Sequence, residues 1–532
     1  MAPPPELADM EQPNSPAIET PVPESVHLTA ATVIVRNAVL NLASEGWVFV
    51  VLLVAMPKLV RFLGETQFGL FSLAWVIIGY LTVLDIGVSR AATKFVSEHL
   101  ADGDLASTRQ VVRTSIVANL GLGLAGGFAV VLSSPLLVHY VFRVNPGLEH
   151  QANLVFYAAG IAIPVLLLQG IFRGILSSYQ RFGWITGVNT VATTLQWGLA
   201  CVLAWRGYNV SLVVFSTVLV RMLAAIGYGA VLRTILPNLD FFRTPDLVGL
   251  SKLVRFGSWV TVSQLVSPLL VYLDRVLIAT FVSLRAVALY TVPYEMMTRL
   301  RVIPSSLVAS LYPAFSERAS EGREAQLQRL YERSVRYLFL LLVPVALFLG
   351  VLGPDLLSIW MGAEFAQKTA PALQLLALGT LANGIAYVPY NILQALGRPD
   401  LTAKLHLLEL PFYTVLCVLL IPRWGICGAA TASTVRFLLD SVLLFWAVRK
   451  YCRCSLQSFR TGGPVRFLIA TLVLGSSLLT IRLAVPSVAL RLGLGVVVIS
   501  TALLAAWTFA VDRTEKPRLI GILRTRFGET TS

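Results

Sequence analysis

Long apolar stretches separated by short polar segments recur along the chain. Each stretch holds about 20 residues, the length that an α-helix needs to cross the hydrocarbon core of a bilayer. The pattern predicts fourteen such spans, at residues 37–57, 68–89, 112–133, 151–172, 184–205, 209–232, 256–276, 286–311, 337–357, 370–395, 402–421, 424–447, 465–484 and 492–511. Backbone polar groups inside a bilayer must bond within the segment, so each span is expected to be a helix. The chain is therefore predicted to be an all-α polytopic membrane protein.

The first half of the chain resembles the second half when it is shifted by 219 positions. The shift aligns identical or similar side chains, namely Arg36 with Arg255, Ser44 with Ser263, Phe71 with Tyr290 and Glu98 with Glu317. After six spans the chain is back on the side of the membrane where it began, so the halves are parallel repeats. Two six-helix lobes around a central cavity are predicted, a plan typical of transporters that open a central site to each side in turn.

The repeat and the polar segments divide the chain into six regions. We predict a disordered cytoplasmic tail at 1–30, an N-lobe at 31–236, a cytoplasmic linker at 237–250, a C-lobe at 251–450, two additional helices at 451–511 and a second cytoplasmic tail at 512–532. The first tail is rich in proline and acidic residues and lacks the pattern of a signal peptide. The last two spans have no counterpart in the first half and are expected to pack outside the core.

The charge distribution supports a membrane topology rather than nucleic-acid binding. The chain of 532 residues is 56% hydrophobic and 13% charged, with a mean hydropathy of +0.74 and a net charge of +14. Most lysines and arginines lie in the tails and in the connections on one side of the membrane, which places both termini in the cytoplasm. Two polar cytoplasmic segments, 90–113 and 316–336, are expected to be helical. No nucleic-acid partner is predicted.

Polar side chains within the spans are expected to face a cavity, because they are unfavourable against lipid. Span one carries a polar stripe that includes Asn41, Ser44 and Glu45, and span seven carries Ser258 and Gln264, of which Gln264 is the shifted counterpart of Glu45. The stripes predict one central cavity lined by spans one, two, seven and eight. Glu45 is a candidate for ion coupling, or else for a permanent pair with a cavity arginine.

Arginines near the middle of several spans are further candidates. In span eight, Glu295 and Arg299 are four residues apart and can pair within the helix, which leaves Arg301 unaccounted for. Alternatively, Arg299 and Arg301 both bind phosphate groups through their planar forks of donors. In span twelve, Arg436 is predicted to pair with Asp440. Arg221 in span six has no in-helix acid partner.

Spans four and ten add amide, arginine and tyrosine side chains that either hold helices together or bind the hydroxyl groups of a sugar. The candidates for binding are Arg173 in span four and Asn383 and Tyr387 in span ten. The five histidines and five cysteines show no metal-binding spacing, and no phosphate loop or nucleophile constellation is present. No enzyme activity, cofactor or metal is predicted.

Several short motifs follow one another in a recognisable order. They are FLGETQFGLF at 62–71, LDIG at 84–87, Asp274-Arg275 near the end of span seven, ALY at 288–290 and ILQALGRPD at 392–400. In order and spacing they resemble the oligosaccharide flippase (polysaccharide transporter, Wzx-type) family of the multidrug/oligosaccharidyl-lipid/polysaccharide exporter superfamily. The resemblance covers residues 31–450.

The resemblance implies that the chain translocates an undecaprenyl-diphosphate-linked oligosaccharide across a bacterial inner membrane by alternating access. The purpose implied is surface polysaccharide, O-antigen or exopolysaccharide biosynthesis. Implied partners are the lipid-linked oligosaccharide and membrane lipids, with a polysaccharide polymerase complex and coupling to H⁺ or Na⁺ as further expectations. Flippases of this family commonly have twelve spans, and fourteen are similar to lipid II flippases.

Three alternatives to that function stay open at this point. A cation-coupled multidrug antiporter of the same superfamily would use Glu45 as its coupling carboxylate. A lipid II flippase would share the fourteen spans. A membrane scaffold without transport activity would leave the polar stripes without a purpose. Two arginines in one span argue against a cavity for cationic drugs.

Overall fold

The computed structural model describes residues 31–85, 87–237, 266, 268–320, 324–452 and 463–510, and all regular structure in these ranges is helical. The helices are α1 (Ala31–Leu81), α2 (Val88–Ala101), α3 (Leu105–Leu136), α4 (Pro146–Ser178), α5 (Phe182–Trp205), α6 (Val210–Ile235), α7 (268–281), α8 (Leu284–Thr298), α9 (Val302–Ser320), α10 (Glu324–Met361), α11 (Ala363–Ala395), α12 (Pro399–Tyr451), α13 (Gly463–Ala484) and α14 (Val488–Ala505).

Two of these helices are long runs bent at a glycine. Gly64 in α1 has φ 76° and Gly425 in α12 has φ 55°, a left-handed backbone that glycine adopts without steric cost. In the described ranges, nine helices are long and apolar enough to cross a membrane, and α1 and α12 are two of them. Counting each bent helix twice, and adding α5, α7 and the consecutive helices α8 and α9 as one crossing, accounts for the fourteen spans. The predicted fold class is confirmed.

The helices pack as two lobes. In the first half, α3 packs on α4, α4 on α6, and α5 on α1 and α6. In the second half, α11 packs on α9, α10 and α12. Helices α13 and α14 pack on α10, outside the second lobe, as the lack of a repeat counterpart predicts.

The ends of the helices follow local sequence rules. Helix α3 begins at Leu105, before the predicted span at 112, because the Asp104 side chain accepts a hydrogen bond from the backbone N–H of Ser107 at 2.9 Å. Such a cap satisfies a donor that the first turn leaves free. Hydrogen bonding from the Ser107 side chain, and then from its backbone N–H, lowers the pKa of Asp104 from its ordinary value. The predicted polar segment 90–113 is helical except for a turn at 102–104, and the segment 316–336 is helical over its described residues, 316–320 and 324–336.

The lobes meet where α1 bends. A Cβ atom on Gly69 would lie 1.8 Å from the carbonyl oxygen of Leu284, so only glycine allows α1 and α8 to approach this closely. Beside this contact, Glu65 binds Arg285 and lies 3.7 Å from Lys368. We call these three residues the outer latch. The hydrogen bond that Arg285 donates to the Glu65 carboxylate raises the pKa of Arg285 above its ordinary value.

Candidate functional site

The largest of the cavities described below, the charged cavity, has a volume of about 1100 Å³. It lies between α1, the segment 296–305, α10 and α14. Glu45, Arg299 and Arg301 line it, and most of its remaining wall is apolar, with Phe49, Leu53, Phe348, Leu349, Trp360, Val496 and Ile499. One compartment therefore combines fixed charges with a large apolar surface.

A break in the helix places the two arginines in the charged cavity. Helix α8 ends at Thr298, Arg299–Arg301 form one turn of 3-10 helix, and α9 begins at Val302. Pro304 has no N–H to donate to the carbonyl of Leu300, and its ring would clash there in a continuous α-helix. Short 3-10 segments within a helix often mark functional hinges.

The arginines differ in their partners. Arg299 Nη2 lies 3.6 Å from Glu295 Oε2, so the pair that the four-residue spacing predicts is present. Glu295 Oε1 lies 3.4 Å from Nη2 of the buried Arg275. Within the described residues Arg301 makes no ion pair, and its guanidinium carbon lies 5.6 Å from the centre of the Phe437 ring. Arg301 is thus the cavity cation with no carboxylate partner among these residues.

A buried polar network continues from Arg275 into the second lobe. The Tyr290 hydroxyl donates to Asp274 Oδ2 at 2.6 Å, and Ser433 Oγ lies 3.1 Å from the Tyr290 hydroxyl and 3.0 Å from that of Tyr413. These contacts join α7, α8 and both parts of α12. From the sequence, Asp274-Arg275 is predicted only as part of the family motif and not as a site. Two adjacent ionisable residues inside an apolar span were the signal that could have identified a site.

A second compartment, the C-lobe pocket, has a volume of about 280 Å³ and is lined by the predicted residues Asn383, Tyr387 and Arg436. His406 and Asp440 also line it. The predicted pair of Arg436 with Asp440 is wrong: Arg436 Nη1 lies 3.9 Å from Glu409 Oε2. The reason is the bend at Gly425, which brings the part of α12 that carries Glu409 alongside Arg436.

Asp440 has other neighbours. Its Oδ2 accepts a hydrogen bond from Asn383 Nδ2 at 3.4 Å, and His406 Nε2 lies 3.9 Å from its Oδ1. His406 and Glu409 were not among the predicted site residues. Both stand in the apolar span 402–421, three residues apart, so their spacing was visible in the sequence.

The predicted N-lobe arginines lie apart from the charged cavity and do not line it. Arg173 of α4 is exposed, and Arg221 of α6 is half-buried, with a buried Nε that has no hydrogen-bond partner. The Gln169 side chain donates to the backbone carbonyl of Arg221. The structure therefore does not bring Arg173 and Arg221 together with Arg299 and Arg301.

The polar side chains of span one face two different environments. Glu45 lines the charged cavity, whereas the Ser44 hydroxyl lies 3.0 Å from that of Thr190 in α5. Residues one apart on a helix point about 100° apart, so a broad stripe reaches both a cavity and a neighbouring helix. The Asn41 side chain, Ser258 and Gln264 lie outside the described residues.

A third compartment, the apolar cavity, occupies about 570 Å³ between α1, α3 and α7. It is lined by residues 76–84 of span two and residues 269–276 of span seven. Among the described residues, spans one and eight line the charged cavity, and spans two and seven line the apolar one. One cavity lined by all four spans stays a prediction, because residues 256–265 of span seven lie outside the described residues.

Fold and cavities together define a multi-pass membrane protein of the transporter type, and comparisons with known proteins agree. The lipid II flippase MurJ in an inward closed conformation superposes with a TM-score of 0.67 at 13% identity, over 89% of this chain and 98% of that one. An inward-facing multidrug resistance MATE family transporter of the MOP superfamily superposes with a TM-score of 0.63 at 15% identity, over 81% and 99%. At these identities the likeness shows the fold.

Sequence relatives are more specific. A putative O-antigen transporter of Shigella flexneri is 27% identical over 424 residues, which cover 79% of this chain and 98% of that protein. The family model described as "Polysaccharide biosynthesis protein" matches residues 34–319, more than half of the chain. The chain belongs to the polysaccharide biosynthesis protein family, and its resemblance to Wzx-type flippases is confirmed.

Proposed function

We propose that the chain is a flippase that moves a polyprenyl-diphosphate-linked oligosaccharide across a bacterial inner membrane for surface polysaccharide assembly. The observation that supports this most is the composition of the charged cavity. A lipid-linked sugar has a charged diphosphate, a polar glycan and an apolar chain, and the cavity offers two arginines beside a broad apolar wall.

The diphosphate binds at Arg299 and Arg301. A guanidinium matches phosphate oxygens with two parallel hydrogen bonds, and Arg301 has no competing carboxylate among the described residues. Leu349, Val496 and Ile499 lie on the apolar wall and accommodate the polyprenyl chain. Arg173 and Arg221, which lie elsewhere, have no assigned role in this step.

Alternating access moves the substrate between the two leaflets. With both termini in the cytoplasm, the bend of α1 and the α7–α8 turn lie on the outer side, so the outer latch holds the lobes together there. Opening to the outside requires Glu65 to leave Arg285 and Lys368, while the arginines release the diphosphate.

Transport is tested in proteoliposomes with fluorescent undecaprenyl-diphosphate-linked oligosaccharide, whose arrival in the outer leaflet is measured with a membrane-impermeant quencher. The Arg299→Ala/Arg301→Ala double variant is expected to abolish transport, whereas Arg206→Ala, at an exposed position between α5 and α6, is expected to leave it unchanged. Wild-type transport by the double variant would disprove the assignment. Lipid II in parallel vesicles distinguishes a lipid II flippase, and a cationic dye distinguishes a drug antiporter.

A further inference from the structure

Two buried carboxylates have too few partners: Asp440, which lines the C-lobe pocket, and Glu409 beside it. We call Glu409 and Asp440 the acid pair; Glu409 is 0% exposed and Asp440 5%. Oxygen atoms of both lie within 4.8 Å of each other and of a His406 nitrogen. Both oxygens of Glu409 and Oδ1 of Asp440 are buried and accept no hydrogen bond among the described residues.

The charges around the acid pair do not balance. Arg436 is the nearest cation, and it contacts the ring of Phe437 at 4.4 Å as well as Glu409 at 3.9 Å. Two ionised carboxylates beside one arginine leave one buried negative charge uncompensated. Such a charge is strongly unfavourable away from water, so the pair requires one additional positive charge.

The other titratable and charged groups around the pocket come from every described element packed there. They are His406 from α12, Tyr387 and Tyr390 from α11, Arg301 from the turn between α8 and α9, and Arg90 of α2, which faces Tyr390. Helix α7 lines the pocket with Leu270 and Val271. Of the basic groups among them, only His406 lies within ion-pair distance of the acid pair, with Nε2 3.9 Å from Asp440 Oδ1.

Arg301 links this pocket with the charged cavity. Arg301 and Tyr387 line both compartments, so they form the partition between them. The guanidinium carbon of Arg301 lies 5.6 Å from the centre of the Phe437 ring, and that of Arg436 lies 4.4 Å from the same centre. The two guanidinium groups are therefore at most 10.0 Å apart, and Arg301 is within the electrostatic influence of both compartments.

We propose that the acid pair binds one proton and that this proton controls whether Arg301 serves the acid pair or the diphosphate in the charged cavity. When the pair is doubly ionised, its excess negative charge attracts Arg301 and opposes a second anion nearby. When a proton from the solvent occupies the pair, Arg301 is available to the diphosphate. Proton and substrate then favour each other's binding, as linkage requires.

This inference rests on the proposed function and adds a coupling site that differs from Glu45. Glu45 stands exposed in the charged cavity, where solvent stabilises its charge. The acid pair is buried, so its protonation changes the field that acts on Arg301 more strongly.

The test measures binding of farnesyl diphosphate to the purified full chain in detergent, from mildly alkaline to mildly acidic buffer. Wild-type affinity is expected to rise about tenfold on acidification, in the usual range of coupling between sites. Protonation of the diphosphate itself lowers its charge and has the opposite sign. Glu409→Gln is expected to bind tightly at every pH, and Arg301→Ala weakly at every pH. Asp102→Asn, an exposed acid after α2, is expected to match the wild type.

A second measurement without ligand verifies that the variants are folded. Raising the pH removes the shared proton and leaves a buried charge, so the wild-type Tm is expected to fall with rising pH, and that fall is expected to flatten in Glu409→Gln. If the pH dependence of diphosphate binding is unchanged in Glu409→Gln, the proton coupling is overturned but the proposed function is not. Binding that follows sodium concentration rather than pH would overturn the choice of a proton. No diphosphate binding at any pH would overturn the proposed function and the coupling with it.

Discussion

The charged cavity and the apolar cavity occupy equivalent places in the two repeats. Shifted by 219 positions, residues 45–53 fall on 264–272 and residues 296–305 fall on 77–86. Among the described residues, spans one and eight line the charged cavity, and their counterparts, spans seven and two, line the apolar cavity. Arg299 and Arg301 correspond to Tyr80 and Thr82. The same architecture therefore produced one compartment that suits an anion with an apolar tail and one without a charged side chain in its lining.

The lobe interiors differ in the same way. Within the described ranges, every buried charged side chain lies in the second half, namely Asp274, Arg275, Asp355, Glu409, Arg436 and Asp440. The buried polar side chains of the first half are serines, threonines and amides. The two copies of the repeat therefore share a helical arrangement, but only the second copy buries charged side chains among the described residues. If the stability of the protein and its transport activity depend on this difference between the lobes, substitutions at matched positions are expected to have unequal effects.

The largest effect is expected from replacing Asp274, Arg275 and Tyr290 of the second lobe. The residues that the shift of 219 positions aligns with them in the first lobe are Ala55, Met56 and Phe71. Arg275→Met alone removes the buried cation beside Asp274 and one of the two arginines beside Glu295, and is expected to lower the free energy of unfolding by about 3–5 kcal/mol. The triple variant Asp274→Ala/Arg275→Met/Tyr290→Phe removes the unpaired groups and is expected to be less destabilised. Thermal unfolding of the purified protein measures both, and a triple variant less stable than the single one would contradict the argument.

Transport is expected to depend on Arg301 but not on its counterpart. Arg301→Thr loses a charged hydrogen-bond donor, which corresponds to about a tenfold to hundredfold loss of rate, and Arg301→Lys recovers only part because it lacks the fork. Thr82→Val, at the position that the 219-residue shift aligns with Arg301, is the matched control and is expected to transport normally. The proteoliposome assay measures the transport rate of each variant. Equal losses of rate at the two positions would contradict a functional difference between the cavities.

The additional helices are expected to be held by an ion cluster that the first lobe does not have. Arg491 Nη1 donates to Asp355 Oδ1 at 2.8 Å, and Arg482 Nε lies 3.9 Å from Asp355 Oδ2. Asp355→Asn weakens two charge-assisted contacts, so backbone hydrogen exchange in α13 and α14 is expected to accelerate by about tenfold. Helix α3 serves as the internal reference. Unchanged hydrogen exchange in α13 and α14 would show that apolar packing on α10 is sufficient to hold these two helices.

The smallest effect is expected at the outer latch, which joins the two lobes through partly exposed ions. Glu65→Lys places like charges beside Arg285 and Lys368 and is expected to slow transport less than about fivefold, because exposed ion pairs contribute little. Adding Arg285→Glu is expected to restore part of the rate, and high salt to reduce both effects. No rescue by the second substitution would exclude the pair as a closing contact.

Features that depend on spacing within one helix followed from the sequence. Apolar length predicted the spans, and the pair of Glu295 with Arg299 followed from their separation of four residues. The partner of Arg436 could not be found in this way, because Glu409 reaches it only through the bend at Gly425 and the packing of the two parts of α12. Ser44 likewise faces Thr190 of another helix.

The sequence by itself determined the number of spans, the repeat and the family, because apolar length and helical periodicity are local properties that backbone hydrogen bonding in a bilayer enforces. Only the tertiary structure decided that spans one and eight line the charged cavity together, and that Glu409 and Asp440 lie beside each other and His406. Those relations depend on how closely helices approach, as at Gly69 and Leu284, and such approaches join residues that are more than 200 positions apart in the chain.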